Sequence, residues 1–392
     1  MNSYKFRLPN YFAQSVRKEI GQLYASVAIA DLALAIVTLF EPIFLYSIVG
    51  LSIPQILIFN GIAYAVYIVL IPFGAKIATL YGYAHGILFS IPFQILFWIF
   101  LYAGQDNISL LFIAPVLYGI EKSLYWPSFH ASVARFAQDE QRGREFGVLY
   151  FIVNAVSIIG PFIGGFLSEK FGVRITFVFA SAIYVCSFIP LFMKAEVFVP
   201  KVYQYRDTWK LYKEFPRKFL GYIGFGEEML LLNIWPIYVY VIVVGYEKIG
   251  LLVTVATLIG TVLGLYVGKI TDQYSKRVLI KIGAFFYFLF WVFRTIALSP
   301  ISVFAAETFS RTSKDLVFIP LSTLTYERAE ATHIMPYIVF FEQSLAVGKL
   351  IAAILGAGIF TLVTVILGFS LSVGFMVLFV IAGLFSLFYM FI

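Results

Sequence analysis

"ETFSRTSKDLVF", residues 307–318, is the stretch on which the fold turns. It sets Glu307, Arg311, Lys314 and Asp315 between two runs that read as membrane, "FLFWVFRTIALSPISVFAA" (288–306) and "IPLSTLTY" (319–326). A charge at the centre of a bilayer costs from about 2.5 to over 10 kcal/mol, so it survives only where it faces water or a partner. On a helix all four side chains fall on one face, with i,i+4 spacing for Glu307–Arg311 and Arg311–Asp315. A single charged stripe backed by apolar residues describes a helix that lines an interior rather than one that faces lipid.

The rest of the chain agrees. Hydrophobic residues make up 61% of the 392 and charged residues 12%, against about 25% charged in a soluble domain. The chain reads as an all-α polytopic membrane protein. A helix needs about 20 mostly apolar residues to cross, and twelve segments qualify: 20–48, 54–74, 84–104, 108–134, 146–168, 174–193, 218–244, 249–268, 278–298, 300–326, 335–360 and 366–391.

Residues 1–19 read as a basic cytoplasmic N-terminal segment without the short apolar core of a signal peptide. Residues 20–193 and 218–392 read as two six-helix bundles, and 194–217 as a cytoplasmic linker with amphipathic pieces. With both termini in the cytoplasm, 20 Lys and Arg fall in cytoplasmic segments and three in outer loops, as the positive-inside rule requires. The net charge of +7 is thereby absorbed by the membrane, and no nucleic-acid partner is implied.

The halves repeat. Pro42 and Pro236 lie 194 residues apart, as do Gly74 and Gly268; Lys122 and Lys314 are 192 apart, and Pro127 and Pro320 are 193 apart. Six spans per half place the symmetry axis along the membrane normal, the geometry of carriers with a midplane site between two bundles.

With these features the chain resembles the Major Facilitator Superfamily of secondary transporters. "GKITDQYSKR" (268–277) is similar to the family's loop signature through Gly268, Asp272, Lys276 and Arg277. "QRGREFG" (141–147), "GPFIGG" (160–165) and "FGVRITFVFA" (171–180) are similar to its fourth-to-sixth helix region. The first-half copy of the loop, "GAKIATLYG" (74–82), has no acid. Val156 stands where the antiporter pattern has a glycine, and Pro115 where the fourth helix has an arginine.

The resemblance implies that helices 1, 4, 7 and 10 line a central cavity flanked by 2, 5, 8 and 11. The intramembrane charges obey that division: Asp31 and Glu41 on helix 1, Glu121 and Lys122 on 4, Glu227 and Glu228 on 7, the quartet on 10, Glu342 and Lys349 on 11. Arg294 on helix 9 is the exception, expected to snorkel to the outer surface. Glu227 and Glu228 are not expected to face one direction, and Glu41 is expected at the outer rim.

Candidate substrate contacts are Glu121, Lys122, Tyr125, Trp126, Trp235, Glu307, Arg311, Lys314, Asp315 and Lys349. For Glu307, Arg311 and Asp315 a second reading stands, a neutralised network that holds helices together. For Tyr125, Trp126 and Trp235 the second reading is packing at the proline kinks. Asp31, Glu307 and Glu342 are proton-coupling candidates. Asp272, Lys276, Arg277, Arg142 and Arg144 are candidates for a cytoplasmic gate, with Gly160, Pro161, Gly164 and Gly165 in the flexing helix. His85, His130 and His333 are expected at the cytoplasmic interface.

No catalytic constellation, Cys/His metal cluster or Gly-x-x-x-x-Gly-Lys nucleotide loop occurs. These absences argue against an enzyme, a metal, a cofactor and an ATP-driven pump. The expected function is secondary transport of a small polar solute with protons, by a monomer in the cell (plasma or inner) membrane. Multidrug/proton efflux is the alternative and a lipid flippase the remoter one.

Overall fold

A computed structural model describes residues 18–136, 142–193 and 200–392; within these, the side chains of 18–21, 23, 135, 136, 142–154, 192, 265, 268–270 and 272 are not described. Seventeen α-helices follow one another, and no strand occurs among the described residues.

In the first half, α1 (Lys18–Val37) and α2 (Glu41–Ser47) make the first span, α3 (Ile53–Tyr81) the second and α4 (Tyr83–Ala103) the third. α5 (Ile108–Leu111) and α6 (Ala114–Phe136) make the fourth, α7 (Arg142–Phe171) the fifth, and α8 (Val173–Cys186) with α9 (Ile189–Phe192) the sixth. The linker forms α10 (Tyr205–Glu214).

In the second half, α11 (Pro216–Ile223) and α12 (Gly226–Ile242) make the seventh span, α13 (Tyr246–Gln273) the eighth and α14 (Lys276–Phe293) the ninth. α15 (Pro300–Ala331) is the tenth, α16 (Ile334–Thr361) the eleventh and α17 (Leu371–Leu387) the twelfth.

Among the described residues ten helical segments are long and apolar enough to cross a membrane. α7 and α15 complete twelve by length, at 30 and 32 residues, about 45 Å each at 1.5 Å per residue. α15 falls short on apolarity because of the stretch at 307–318. Its start is nonetheless firmly specified. Ser299 and Ser302 form a reciprocal capping box, and Pro300 supplies the fixed φ suited to a first helical position. Gly82 (φ +109°) and Gly172 (φ +82°) reverse the chain in a single residue after the second and fifth spans. A side chain would be strained at either.

The halves meet along two seams, α3 against α16 and α7 against α13. Glycines make the second seam close. A Cβ on Gly165 would meet the Tyr246 carbonyl oxygen at 2.5 Å and the Gly250 Cα at 3.2 Å, and one on Gly250 would strike the Pro161 carbonyl. Gly160 and Gly164 face the other way, onto Ala35, Ile36 and Phe40 of the first span. The outer surface is apolar, with Phe73, Ile99, Phe285, Ile354 and Val365 exposed to lipid; it is this inverted surface that a bilayer requires.

α10 packs on α16: Tyr205 and Tyr212 both donate to the Gln343 side chain, at 3.2 and 3.1 Å. On its exposed face Lys210 donates to Asp207 at 2.8 Å and holds that carboxyl below its ordinary range. The Lys201 N–H donates to the Thr79 carbonyl at 3.0 Å, tying the linker to the end of α3. The linker therefore bridges both halves on one side of the membrane, called the linker side below.

Candidate functional site

The seventh span is broken at Gly224 and Phe225, and α12 restarts with Glu227 and Glu228 in its first turn. The break is bridged by the backbone, with the Glu227 and Glu228 N–H groups donating to the Gly224 and Phe225 carbonyls at 3.1 and 3.0 Å. Both acids turn to the same partner. Lys314 of α15 lies 2.6 Å from Glu228 and 3.2 Å from Glu227. Lys349 of α16 takes the other oxygen of Glu228 at 2.7 Å. Tyr287 and Tyr389 donate to Glu227 at 2.6 and 3.3 Å. The expectation that the two glutamates face apart is thus corrected: the long lysine reaches both from a neighbouring helix.

Two turns from Lys314 along α15, Glu307 gathers three donors. Arg311 pairs with it at 2.6 Å in the i,i+4 relation, Trp235 donates its indole N–H at 2.6 Å, and Arg294 lies at 3.5 Å. Arg294 does not snorkel. It is 1% exposed, and its guanidinium sits 4.2 Å from the ring of Trp235 and 4.0 Å from that of Trp291. A planar cation between two aromatic faces, with a carboxylate on its edge, is compensated in place and has no need of the surface. Asp315 points toward Gly264 of α13.

The first half is different. Lys122 of α6 has no carboxylate within ion-pair distance among the described residues. Its ammonium lies 4.0 Å from the ring of Tyr118, 5.6 Å from Tyr64 and 5.9 Å from Trp126. Tyr64 also lies 5.2 Å from the ammonium of Lys349, so one tyrosine ring is shared by a lysine from each half. Glu121 is buried and takes a hydrogen bond from Tyr184. Glu41 accepts the Trp98 indole N–H at 2.7 Å and is only partly exposed, which corrects its assignment to the rim. Asp31 is partly buried in α1, with no hydrogen bond or ion pair among the described residues.

The halves are joined directly by a third cluster. His130 of α6 lies 2.8 Å through Nε2 from Glu342 of α16 and 2.6 Å through Nδ1 from the Tyr326 hydroxyl of α15. Tyr67 of α3 donates to the other Glu342 oxygen at 2.7 Å. His130 is therefore not interfacial: Trp126 stacks on it and Phe341 closes its edge. Glu342 is a residue the sequence singles out, but a pairing across 212 residues leaves no trace in local sequence, and its partners His130, Tyr326 and Tyr67 were not expected.

Of the other candidates, Trp126 stands beside both Lys122 and His130, whereas Tyr125 is packed into a small cluster with Tyr24, Val27, Ile87 and Val133. Lys276 pairs at 2.5 Å with Glu327 of α15 rather than with an acid of its own loop, and Arg277 is exposed. The side chains of Arg142, Arg144 and Asp272 lie outside those described. No cluster of His, Cys, Asp and Glu suited to a metal occurs among the described residues. A groove of about 830 Å³ opens between α3, α4 and α6, lined by Phe73, Leu88, Phe89, Pro92 and Ile120; its lining is apolar apart from Ser123 and contains none of the candidates.

Two helical bundles meeting along two seams, with charged side chains buried between their helices, define a polytopic helical membrane protein. The profile of the Major Facilitator Superfamily matches residues 23–348, and the chain belongs to that family. It is 27% identical over 176 residues to the quinolone resistance protein NorA of Staphylococcus aureus, a match covering 44% of each chain. It is 22% identical over 196 residues to the proton-coupled antiporter flippase LtaA of Staphylococcus saprophyticus, covering 46% of this chain and 48% of that one. The chain thus spans less than half the length of the curated relatives it matches.

Proposed function

We propose that this protein is a secondary active transporter that moves a small polar solute across the cell membrane by alternating access, coupled to protons. It acts as a monomer with both termini in the cytoplasm. The observation that carries the reading is the pair of lysines on Tyr64: Lys122 from one bundle and Lys349 from the other, both buried, reach the same ring where the bundles meet. A solute bearing a carboxylate or phosphate engages both at once and thereby senses whether the bundles are together. Glu228, which holds Lys349 and Lys314, supplies the competing anion that a substrate displaces.

The similarity to a quinolone resistance protein and to a flippase supports a second reading, efflux of a lipophilic compound or lipid, in which the aromatic rings around Lys122 serve as the apolar wall. For the gate, Asp272 with Arg142 and Arg144 remains the proposed cytoplasmic latch. Lys276 is assigned instead to Glu327, at the ends of α14 and α15.

The test is a thermal-shift screen of the purified protein against organic acids, amino acids, phosphorylated metabolites and lipophilic cations, since a ligand that binds only the folded state raises its stability. An anionic or zwitterionic compound that stabilises the parent, and loses about tenfold or more in affinity (~1.4 kcal/mol) in Lys122→Gln, is the expected result. Stabilisation by lipophilic cations alone, unchanged in Lys122→Gln and Lys349→Gln, rejects the anionic-solute reading for the efflux one.

A further inference from the structure

We propose that His130 and Glu342 form a proton-binding latch that holds the two bundles together on the linker side of the membrane. The inference rests on the alternating-access reading above and adds to it the place where the proton acts.

The pair joins the two bundles directly. Among the described residues every other ion pair joins residues of the second half or of the linker; His130–Glu342 alone crosses from one bundle to the other. Its supports cross too: Tyr67 comes from the first half, Tyr326 from the second. His130 lies six residues from the end of α6, Tyr326 five from the end of α15, and Glu342 eight from the start of α16. All three ends are on the linker side. On the opposite side the bundles touch through Glu169 and the Tyr246 N–H, at 2.8 Å.

The hydrogen bonds allow the cluster to take up one proton without losing a partner. With a neutral imidazole, the Nε2 N–H donates to Glu342 while Nδ1 accepts from the Tyr326 hydroxyl. When a proton is added to Nδ1, both ring nitrogens donate, and the hydroxyl, which is both donor and acceptor, turns to accept. Tyr67 keeps its bond to Glu342 in both states. The electrostatic difference is large. The unprotonated cluster buries an uncompensated carboxylate at 2% exposure, whereas the protonated one buries an imidazolium–carboxylate pair. A lone buried charge costs far more than a paired one. Proton binding therefore stabilises the closed linker side, and proton loss favours the conformer in which water reaches Glu342.

The surroundings set the sign. The groups facing the pair are Tyr67 from α3, Tyr326 from α15 and, two turns along α16, Lys349, which lies within electrostatic reach of Glu342. Tyr24 of the first span adds a phenol at the edge of the same aromatic cluster, and Glu121 and Lys122 stand two turns away on α6. Lys349 is already held by Glu228, so the neighbouring charges do not replace the proton on His130.

The experiment measures the opening itself. Spin labels on Tyr81→Cys and Tyr274→Cys, both exposed on the linker side, are placed in a Cys186→Ser background, and their separation is read in liposomes by double electron–electron resonance. Lowering the pH across the range where imidazoles titrate, from about 8 to 5, is expected to move the distribution to shorter distances. His130→Gln, which keeps a donor toward Glu342 but cannot titrate there, is expected to abolish the pH response. His85→Gln and His333→Gln are expected to leave it intact.

A response that persists in His130→Gln, or a parent that shows none, overturns the latch. Should His130→Gln fail to fold, the 15N resonances of His130 in histidine-labelled parent protein give its titration midpoint. Agreement with the midpoint of the distance change supports the proposal and disagreement overturns it. Because the distances are read without flux, a failed transport assay leaves this result standing, and a pH-insensitive gate leaves solute transport standing.

Discussion

The two halves share a repeat but not an electrostatic design. In the second half each of Glu227, Glu228 and Glu307 is paired, and four cations, Arg294, Arg311, Lys314 and Lys349, answer them. In the first half Asp31, Glu41 and Glu121 form no ion pair among the described residues, and the repeat-mate of Lys314, Lys122, rests on aromatic rings. The repeat preserved the lysine and changed its company. A saturated network resists removal of any one member, because the charge left behind has no water to turn to. An unsaturated set of aromatics and single charges has room for a ligand or a proton. The second half therefore reads as the rigid frame and the first as the responsive wall.

The comparison is broken most easily at Glu307. Glu307→Gln leaves Arg294 between its two tryptophans with no carboxylate in contact. Loss of one partner from a buried pair costs about 3–5 kcal/mol, so the apparent melting temperature in detergent is expected to fall steeply, or the protein not to accumulate. Lys314→Gln ranks next: it leaves Glu227 and Glu228 adjacent in one turn, with Lys349 on Glu228 and two tyrosine hydroxyls, but no cation, on Glu227. A loss of about 2–4 kcal/mol is expected, partly recovered in a Glu227→Gln/Lys314→Gln double variant because the uncompensated charge goes with its partner. If Lys314→Gln proves no more destabilising than Lys122→Gln, the contrast between the halves is false.

A smaller effect is expected at the seam. Gly250→Ala pushes a methyl into the Pro161 carbonyl beside Gly165, and overpacking of this kind costs about 1–3 kcal/mol. Because the contact lies between bundles, the variant is expected to shift the balance of open and closed conformers more than the melting temperature. Cysteine accessibility on the side opposite the linker reads that shift; unchanged accessibility removes the seam from the gating account.

Much of this was legible before any coordinates. Most of the spans follow from hydropathy, and the charged stripe on the tenth follows from the cost of charge in lipid. The division of charges among helices follows from the repeat and the family resemblance. What stayed hidden is the rotation of each helix about its axis. Arg294 sits near the end of a span, where a lone arginine ordinarily snorkels, and only the packing of α14 turns it onto Trp235 and Glu307. Glu227 and Glu228 point apart on an ideal helix, but both reach Lys314 because that side chain is long and comes from another span. Glu342 stands out as an intramembrane acid, but its pairing with His130 carries no local signal, since each meets the other only across the two halves.

The mildest expected effect is also the sharpest test of the contrast. Asp31 sits in α1 with no ion-pair partner among the described residues, so in the closed state its charge is a cost that none of them repays. Asp31→Asn removes that cost and keeps the shape. The melting temperature is expected to stay level or to rise slightly, the opposite of Glu307→Gln, although both changes neutralise one intramembrane acid. If Asp31 nevertheless matters for coupling, solute-driven proton flux in liposomes falls in a protein that is no less stable, and function and stability part at a single residue. A melting temperature that drops as far as that of Glu307→Gln would mean that Asp31 has a structural partner, and the first half would have to be read as a second frame.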